Sequence, residues 1–136
     1  MIRILLVALL LWPISALAEL EFESARIKNL PPTVPVRAGY VTLYNPGASA
    51  VSIVAAESAA FASVEFHRSV MQDGMMRMEP VDAIEVPAGG RVELEPGGLH
   101  LMLMQPVEPT VPGQSVDLTL KYADGSRHDL TFIVIE

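Results

Sequence analysis

Residues 99–104 read Leu-His-Leu-Met-Leu-Met, and this strict alternation indicates how the chain folds. Successive side chains of a β-strand point to opposite faces of the sheet, so the three leucines share one face. An all-leucine face is typical of a strand that packs on a core. His100, Met102 and Met104 share the opposite face, which therefore presents one imidazole and two thioethers in a row.

The rest of the chain has the same β character. Alternating or β-branched runs recur between clusters of Pro, Gly, Asn and Asp, and no stretch has the apolar periodicity of an amphipathic helix. The predicted strands are Leu20–Ile27, Gly39–Tyr44, Val51–Ala56, Ser63–Val70, Met75–Met78, Arg91–Leu94, Leu99–Met104, Val116–Tyr122 and His128–Ile135. Short, evenly spaced strands predict an all-β sandwich or a small Greek-key barrel.

Residues 1–18 are interpreted as a cleavable signal peptide. Arg3 supplies a positive charge, the apolar run that follows is too short to span a bilayer, and Ala16-Leu17-Ala18 has the form of a cleavage site. An uncleaved membrane anchor is a weaker interpretation, because the run breaks at Pro13. We therefore expect residues 19–136 to form one β-sandwich domain in the periplasm, without membrane insertion.

Composition excludes several classes of function. The net charge of −7 becomes one unit more negative when Arg3 leaves with the signal peptide, and an acidic surface argues against binding nucleic acid or anionic lipid. The chain has no cysteine, which excludes disulfides, thiolate ligands, a cysteine nucleophile and the acylated cysteine of a lipoprotein. Serine, histidine and aspartate are all present, but none lies in a recognisable nucleophile motif, so the protein is not expected to be an enzyme.

Methionine and histidine are concentrated in one part of the chain. Six of the seven methionines lie between positions 71 and 104, and His67 and His100 bracket most of them. A hairpin with a two-residue loop, either Gln72-Asp73 or Asp73-Gly74, would place His67 and Met78 on one face. A three-residue loop would place them on opposite faces, so this pairing depends on the type of turn.

Two imidazoles and two thioethers are a donor set that suits Cu(I), whose filled d shell imposes no strong geometry. Mg²⁺, Ca²⁺ and Mn²⁺ prefer oxygen, and zinc rarely takes a thioether. The predicted Cu(I) ligands are His67, Met78, His100 and Met102. Possible neighbours or alternative ligands are Met71, Met76 and Met104, while Met75 has no assigned role. His128 lies beside the last hairpin turn, where a solvated side chain without a role is expected. Methionine also fills cores, but core filling does not explain why the histidines accompany the methionines.

The spacing His67, ten residues, Met78, twenty-one residues, His100, one residue, Met102 resembles the H-x10-M-x21-H-x-M signature of the periplasmic copper chaperones called PCu(A)C. The strand at residues 39–45 and the Asp124-Gly125 hairpin are similar as well, so the resemblance covers essentially residues 19–136. It implies a cupredoxin-like Greek-key β-sandwich that holds Cu(I) on these four side chains. It also implies delivery to the CuA subunit of cytochrome c oxidase, directly or with a Sco-type copper protein.

The sequence departs from the PCu(A)C pattern at two points. Some members carry methionine after the first histidine, where this chain has Arg68, so no fifth soft ligand is expected there. Others have a His- and Met-rich tail, whereas this sequence ends at Ile135-Glu136, so no cupric site is expected. Two alternatives stay open: a metal-free envelope β-sandwich that binds another protein, and a copper sequestration protein without a delivery role.

Overall fold

The computed structural model describes residues 19–136, which form ten β-strands and no helix. The strands are β1 (Glu21–Lys28), β2 (Val36–Tyr44), β3 (Val51–Glu57), β4 (Phe61–Gln72), β5 (Met75–Pro80), β6 (Ile84–Val86), β7 (Arg91–Leu94), β8 (Leu99–Pro106), β9 (Ser115–Tyr122) and β10 (Arg127–Ile135). Residues 19–136 contain no helix that could span a membrane. The predicted signal peptide, residues 1–18, lies outside the described residues.

The strands form a sheet that closes on itself as a barrel-like sandwich. Their order is β5-β4-β8-β2-β1-β10-β9-β3-β6. Strand β7 also pairs with β2, at residues 41–44, beyond the part of β2 that pairs with β8. Ala56 of β3 pairs with Val64 of β4, which joins the far side of the sheet back to β4. Because β8 lies between β4 and β2, neighbouring strands are often distant in sequence, as in Greek-key folds. The predicted all-β class is confirmed.

The leucine face of β8 packs into the core, as the alternation predicts. Leu101 and Leu103 are 2% and 0% exposed, and Phe66 of β4 lies directly opposite Leu101. On the other side of β8, Gly39 lies opposite Leu101, and a Cβ at Gly39 would come within 3.2 Å of the leucine Cβ. The missing side chain lets β2 approach β8 closely. The face of β8 that carries His100 and Met102 therefore belongs to a strand that is tightly packed on its other face.

Each predicted strand is present, with ends that differ by a few residues, but β6 was not predicted. It has three residues, which are too few for an alternating pattern to stand out in the sequence. Its pairing with β3 is supported by buried Asn45, whose side-chain amide donates to the carbonyl oxygens of Ser49 (2.8 Å) and Val86 (3.1 Å). The turn that follows β2 is thereby tied to β6.

The β4–β5 hairpin resolves the choice between turn types. Gln72 pairs with Met75, so the loop is Asp73-Gly74, and both loop residues have positive φ (52° and 75°), as a type I′ turn requires. The ladder of β4 with β8 ends at the Arg68–Leu99 pair. Beyond it the Ser69 N–H still donates to the Gly98 carbonyl oxygen, and the two hairpin strands pair with each other. All six residues of β5 are exposed. The hairpin therefore projects from the body of the sandwich.

The core behind β8 gives a first prediction. Leu103→Ala removes a fully buried side chain and leaves a cavity, so we expect the free energy of unfolding to fall by about 2–5 kcal/mol. Urea denaturation of the metal-free protein measures this loss. Val107→Ala, at a side chain that is 68% exposed, is the control and should change stability by less than about 0.5 kcal/mol. Equal losses in the two variants would contradict the assigned core.

Candidate metal centre

His67 and His100 face each other across the β4–β8 ladder. They are directly paired, and their ring centroids are 6.1 Å apart with an interplanar angle of 33°. Both project from the face opposite the core, because each neighbours an inward residue of the same ladder, Phe66 or Leu101. His100 is nonetheless only 4% exposed, and the His67 side chain is 13% exposed. The two imidazoles form a nearly buried pair on an outer face of the sheet.

A backbone carbonyl orients the His100 ring. The ring Nδ1 lies 3.1 Å from the carbonyl oxygen of Gly98, which can only accept a hydrogen bond. Nδ1 therefore carries the proton and donates it, while Nε2 keeps its lone pair. Gly98 belongs to the Pro96-Gly97-Gly98 turn before β8, so the turn selects the tautomer of this histidine.

A carboxylate orients the His67 ring in the opposite sense. The ring Nε2 lies 2.8 Å from Oε2 of Glu65, two residues earlier on the same face of β4. An ionised carboxylate accepts, so Nε2 carries the proton and Nδ1 keeps its lone pair. Glu65 was not singled out from the sequence. The available signal was its two-residue spacing from His67, which in a strand places both side chains on one face.

The two lone-pair nitrogens share an unusual property. Within residues 19–136, the buried side-chain nitrogen or oxygen atoms without a hydrogen-bond partner are His67 Nδ1 and His100 Nε2. Leaving such an atom unpaired costs about 1–3 kcal/mol. An imidazole nitrogen lies about 2 Å from a metal ion, so two rings that bind one ion have centroids about 5–6 Å apart, with the larger value when the nitrogens lie on opposite sides. The pair fits a shared metal ion.

The two predicted methionine ligands lie on the same face as the histidines. Met102 follows His100 along β8, lies opposite Glu65 and is partly buried. Met78 of β5 lies opposite Ser69, diagonal to His67, and is 57% exposed. The register therefore brings the four predicted residues together on one face of three adjacent strands, β5, β4 and β8.

The other methionines divide between the two faces. Met104 follows Met102 and lies opposite Ser63, and Met71 pairs with Met76 near the hairpin turn; these three share the histidine face. Met75 pairs with Gln72 and projects from the opposite face of the hairpin. Within residues 19–136, no group of three or more His, Asp and Glu could hold a metal ion. Thioethers are thus the donors available beside the two imidazoles.

His128 differs from its expected environment. The sequence suggested a solvated side chain beside the last hairpin turn. The structure places it half-buried on β10, stacked on Phe22 with ring centroids 4.8 Å apart and planes 19° apart. Strands β1 and β2 separate β10 from β8, so His128 is not part of the candidate site.

Solved structures share this fold. The copper-bound PCuAC domain from PmoF2 superposes with a TM-score of 0.73 at 22% identity, over 88% of this chain and 95% of that one. Apo-DR1885 from Deinococcus radiodurans gives 0.68 at 29% identity, over 90% and 81% of the two chains. CuI-DR1885 from the same organism gives 0.63 at 30% identity, over 82% and 75%. The fold is the cupredoxin-like fold of PCu(A)C domains, which the sequence predicted.

Sequence comparison gives the family. Residues 20–134 match the family described as "Putative lipoprotein LpqE-like". A 90-residue stretch, 65% of this chain, is 36% identical to "Putative lipoprotein Lxx21020" of Leifsonia xyli subsp. xyli, and it spans about half (54%) of that relative. The chain belongs to the LpqE-like family. In contrast to the lipoproteins these names describe, its sequence contains no cysteine to carry a lipid.

The hydrogen bonds at the two rings predict opposite tautomers in the metal-free protein. His67 should be protonated at Nε2 and His100 at Nδ1, each because its partner only accepts. Long-range ¹H–¹⁵N correlation spectra of the imidazoles distinguish these forms. In the variant Glu65→Ala, His67 should lose its preference while His100 keeps its own. Finding both rings in the same tautomer in the parent protein would contradict the assigned geometry.

Proposed function

We propose that this chain is an exported copper chaperone that binds one Cu(I) ion. The ligands are Nδ1 of His67, Nε2 of His100 and the thioether sulfurs of Met78 and Met102. The observation that carries the proposal is the pair of buried imidazole nitrogens without hydrogen-bond partners, on the face that also presents the methionines. It is supported by the structural likeness to proteins described as copper-bound or CuI-bound.

The donor set favours Cu(I) over other ions of the cell envelope. Thioether sulfur is soft and neutral, imidazole is borderline, and neither satisfies a cation that prefers several oxygen ligands. Glu65 and the Gly98 carbonyl hold the proton on the nitrogen remote from the ion, which orients each ring with its lone-pair nitrogen towards the proposed site. The imidazoles are thus prepared for metal before it arrives.

Unequal exposure of the ligands suits transfer. The ligand nitrogens are buried, whereas Met78 is 57% exposed on a projecting hairpin. An incoming ligand of a partner can displace the outer thioether first while the two imidazoles still hold the ion. A fully enclosed site would instead need the sheet to open. This arrangement favours delivery over simple storage.

The proposed recipients follow from the PCu(A)C resemblance: the CuA subunit of cytochrome c oxidase, a Sco-type copper protein, or both. The proposed compartment is the periplasm, reached through cleavage of residues 1–18. Names of lipoproteins among the relatives support export. The proposed function is binding and transfer of an ion, with no catalysed reaction.

Copper stoichiometry tests the binding site. Purified protein under anaerobic, reducing conditions should hold one Cu(I) tightly, and the variant His100→Ala/Met102→Ala should hold none there, because it loses one imidazole and one thioether. The matched control is His128→Ala/Met75→Ala, which removes the same two side-chain types away from the four ligands. It should bind as the parent does.

The same measurement separates the alternatives. A parent that binds no copper, or a His100→Ala/Met102→Ala variant that binds as tightly as the parent, would favour a metal-free protein-binding sandwich. A confirmed site leaves delivery and sequestration to be distinguished. Cytochrome c oxidase activity in a deletion strain does so: it should fall and recover with the parent gene but not with the ligand variant. Unchanged activity would indicate sequestration.

Glu65 should affect copper affinity without touching the ion. Glu65→Ala removes the carboxylate that orients His67, and loss of such a partner typically weakens metal binding by roughly 10–100-fold. Competition with a chromophoric Cu(I) chelator measures the change. Glu79→Ala, on the opposite face of β5, is the control for loss of one negative charge and should leave the affinity near that of the parent.

A further inference from the structure

The β4–β5 hairpin exposes more methionine than packing explains. Met71, Met75 and Met76 are 66%, 69% and 58% exposed, and Met78 is 57% exposed. Methionine normally fills gaps in cores, where its flexible apolar side chain is useful. These four side chains contribute little to the core, and leaving them in water gives up the free energy that their burial would provide.

The register pairs two of these thioethers at the tip of the hairpin. Met71 lies directly opposite Met76, one step inside the Gln72–Met75 pair that closes the Asp73-Gly74 turn. Pairs alternate along an antiparallel ladder, so this is a pair without mutual backbone hydrogen bonds. The Cα atoms of such a pair are about 4.5 Å apart and their side chains are close. Two sulfur atoms can therefore reach one ion.

This pair is on the same face as the candidate copper centre. Along β4, Met71, Ser69 and His67 alternate onto one face, and along β5 Met76, Met78 and Pro80 lie opposite them. Met78 is diagonal both to Met71 and to His67. The thioethers thus form a continuous row from the exposed tip to the buried histidine pair.

Between residues 68 and 80, the charged groups of the two hairpin strands lie on the other face. Arg77 pairs with Val70, and its guanidinium donates to the side-chain oxygen of Gln72 at 2.8 Å. Glu79 pairs with Arg68 on that same face. The strand residues between 69 and 80 therefore contribute one hydroxyl, three thioethers and a proline to the histidine face. None of these residues offers a carboxylate to a hard cation or a cation that would repel a soft one.

We propose that Met71 and Met76 form a second, weaker Cu(I) site at the hairpin tip, with Met78 shared between this site and the histidine pair. The inference rests on the proposed function, because it extends the same copper path. Two neutral thioethers without imidazole bind Cu(I) less strongly than the inner set. Copper enters and leaves through the tip, and Met78 passes it to and from the imidazoles.

Methyl NMR of the full chain tests the proposal, with methionine ¹³C-labelled at the methyl group and Cu(I) added anaerobically. The first equivalent should shift the methyl signals of Met78 and Met102. Further Cu(I) should then shift those of Met71 and Met76, with fast exchange, and should shift that of the shared Met78 a second time. In the variant Met71→Leu/Met76→Leu, Met78 should show the first shift but not the second, and the protein should bind only the first equivalent, since leucine conserves volume and removes sulfur.

Met75→Leu is the matched control, because Met75 is on the same hairpin and equally exposed but projects from the other face. It should retain both events. Saturation after the first event, with no shift at Met71 or Met76, overturns the second site and leaves the proposed function intact. Loss of the second event in Met75→Leu also overturns it. Absence of any shift at Met78 and Met102 is the failure of the proposed function itself.

Discussion

The antiparallel pairing of β4 with β8 is the constraint on which the site depends. One ladder sets Phe66 against Leu101 on the core face and His67 against His100 on the other. A slip of one residue would bring the imidazoles to the core and expose the apolar side chains, so burial of the core fixes the register of the site. The site therefore needs no separate folding information. It is the reverse side of a well-packed pair of strands.

Hydrogen bonds away from the metal-facing atoms then decide which nitrogens are available. The Gly98 carbonyl accepts both from the His100 ring (3.1 Å) and from the backbone N–H of Ser69 (3.1 Å). One carbonyl oxygen thus links the turn before β8, the orientation of a candidate ligand and the base of the β4–β5 hairpin. A displacement of the hairpin would disturb the ring as well, so the buried and exposed parts of the site are mechanically connected.

Much of this could be predicted from the sequence, because it follows from local alternation. The pattern at residues 99–104 predicts both the strand and its two faces. The opposition of His67 and His100 could not be read in the same way, since it depends on which distant strands become neighbours. The hydrogen bond between Glu65 and His67 was indicated in the sequence only by their two-residue spacing. The hairpin frame was undecided because Asp73 and Gly74 are compatible with more than one loop, until the two positive φ angles selected the two-residue form.

The sequence-based predictions missed strand β6 and the contact of Glu65 and misjudged His128, and the cause is the same in all three cases. Strand β6 is too short to show a pattern, and its pairing depends on β3 and on the buried amide of Asn45. His128 was expected to be solvated because it follows a turn, but the sheet brings Phe22 against its ring. In each case, as for Glu65, a contact with another part of the fold decides the environment, and local composition carries little information about it.

The exposure gradient along the thioether row also sets an order of chemical vulnerability. Oxidants convert methionine to the sulfoxide, whose oxygen is a harder donor than the sulfur it covers. The hairpin methionines, each more than half exposed, meet dissolved oxidants before the partly buried Met102 and Met104 do. Under oxidative stress the protein would therefore lose its outer sulfur donors first and keep the inner ones longest. Repair by sulfoxide reductases would restore them from the accessible end inward.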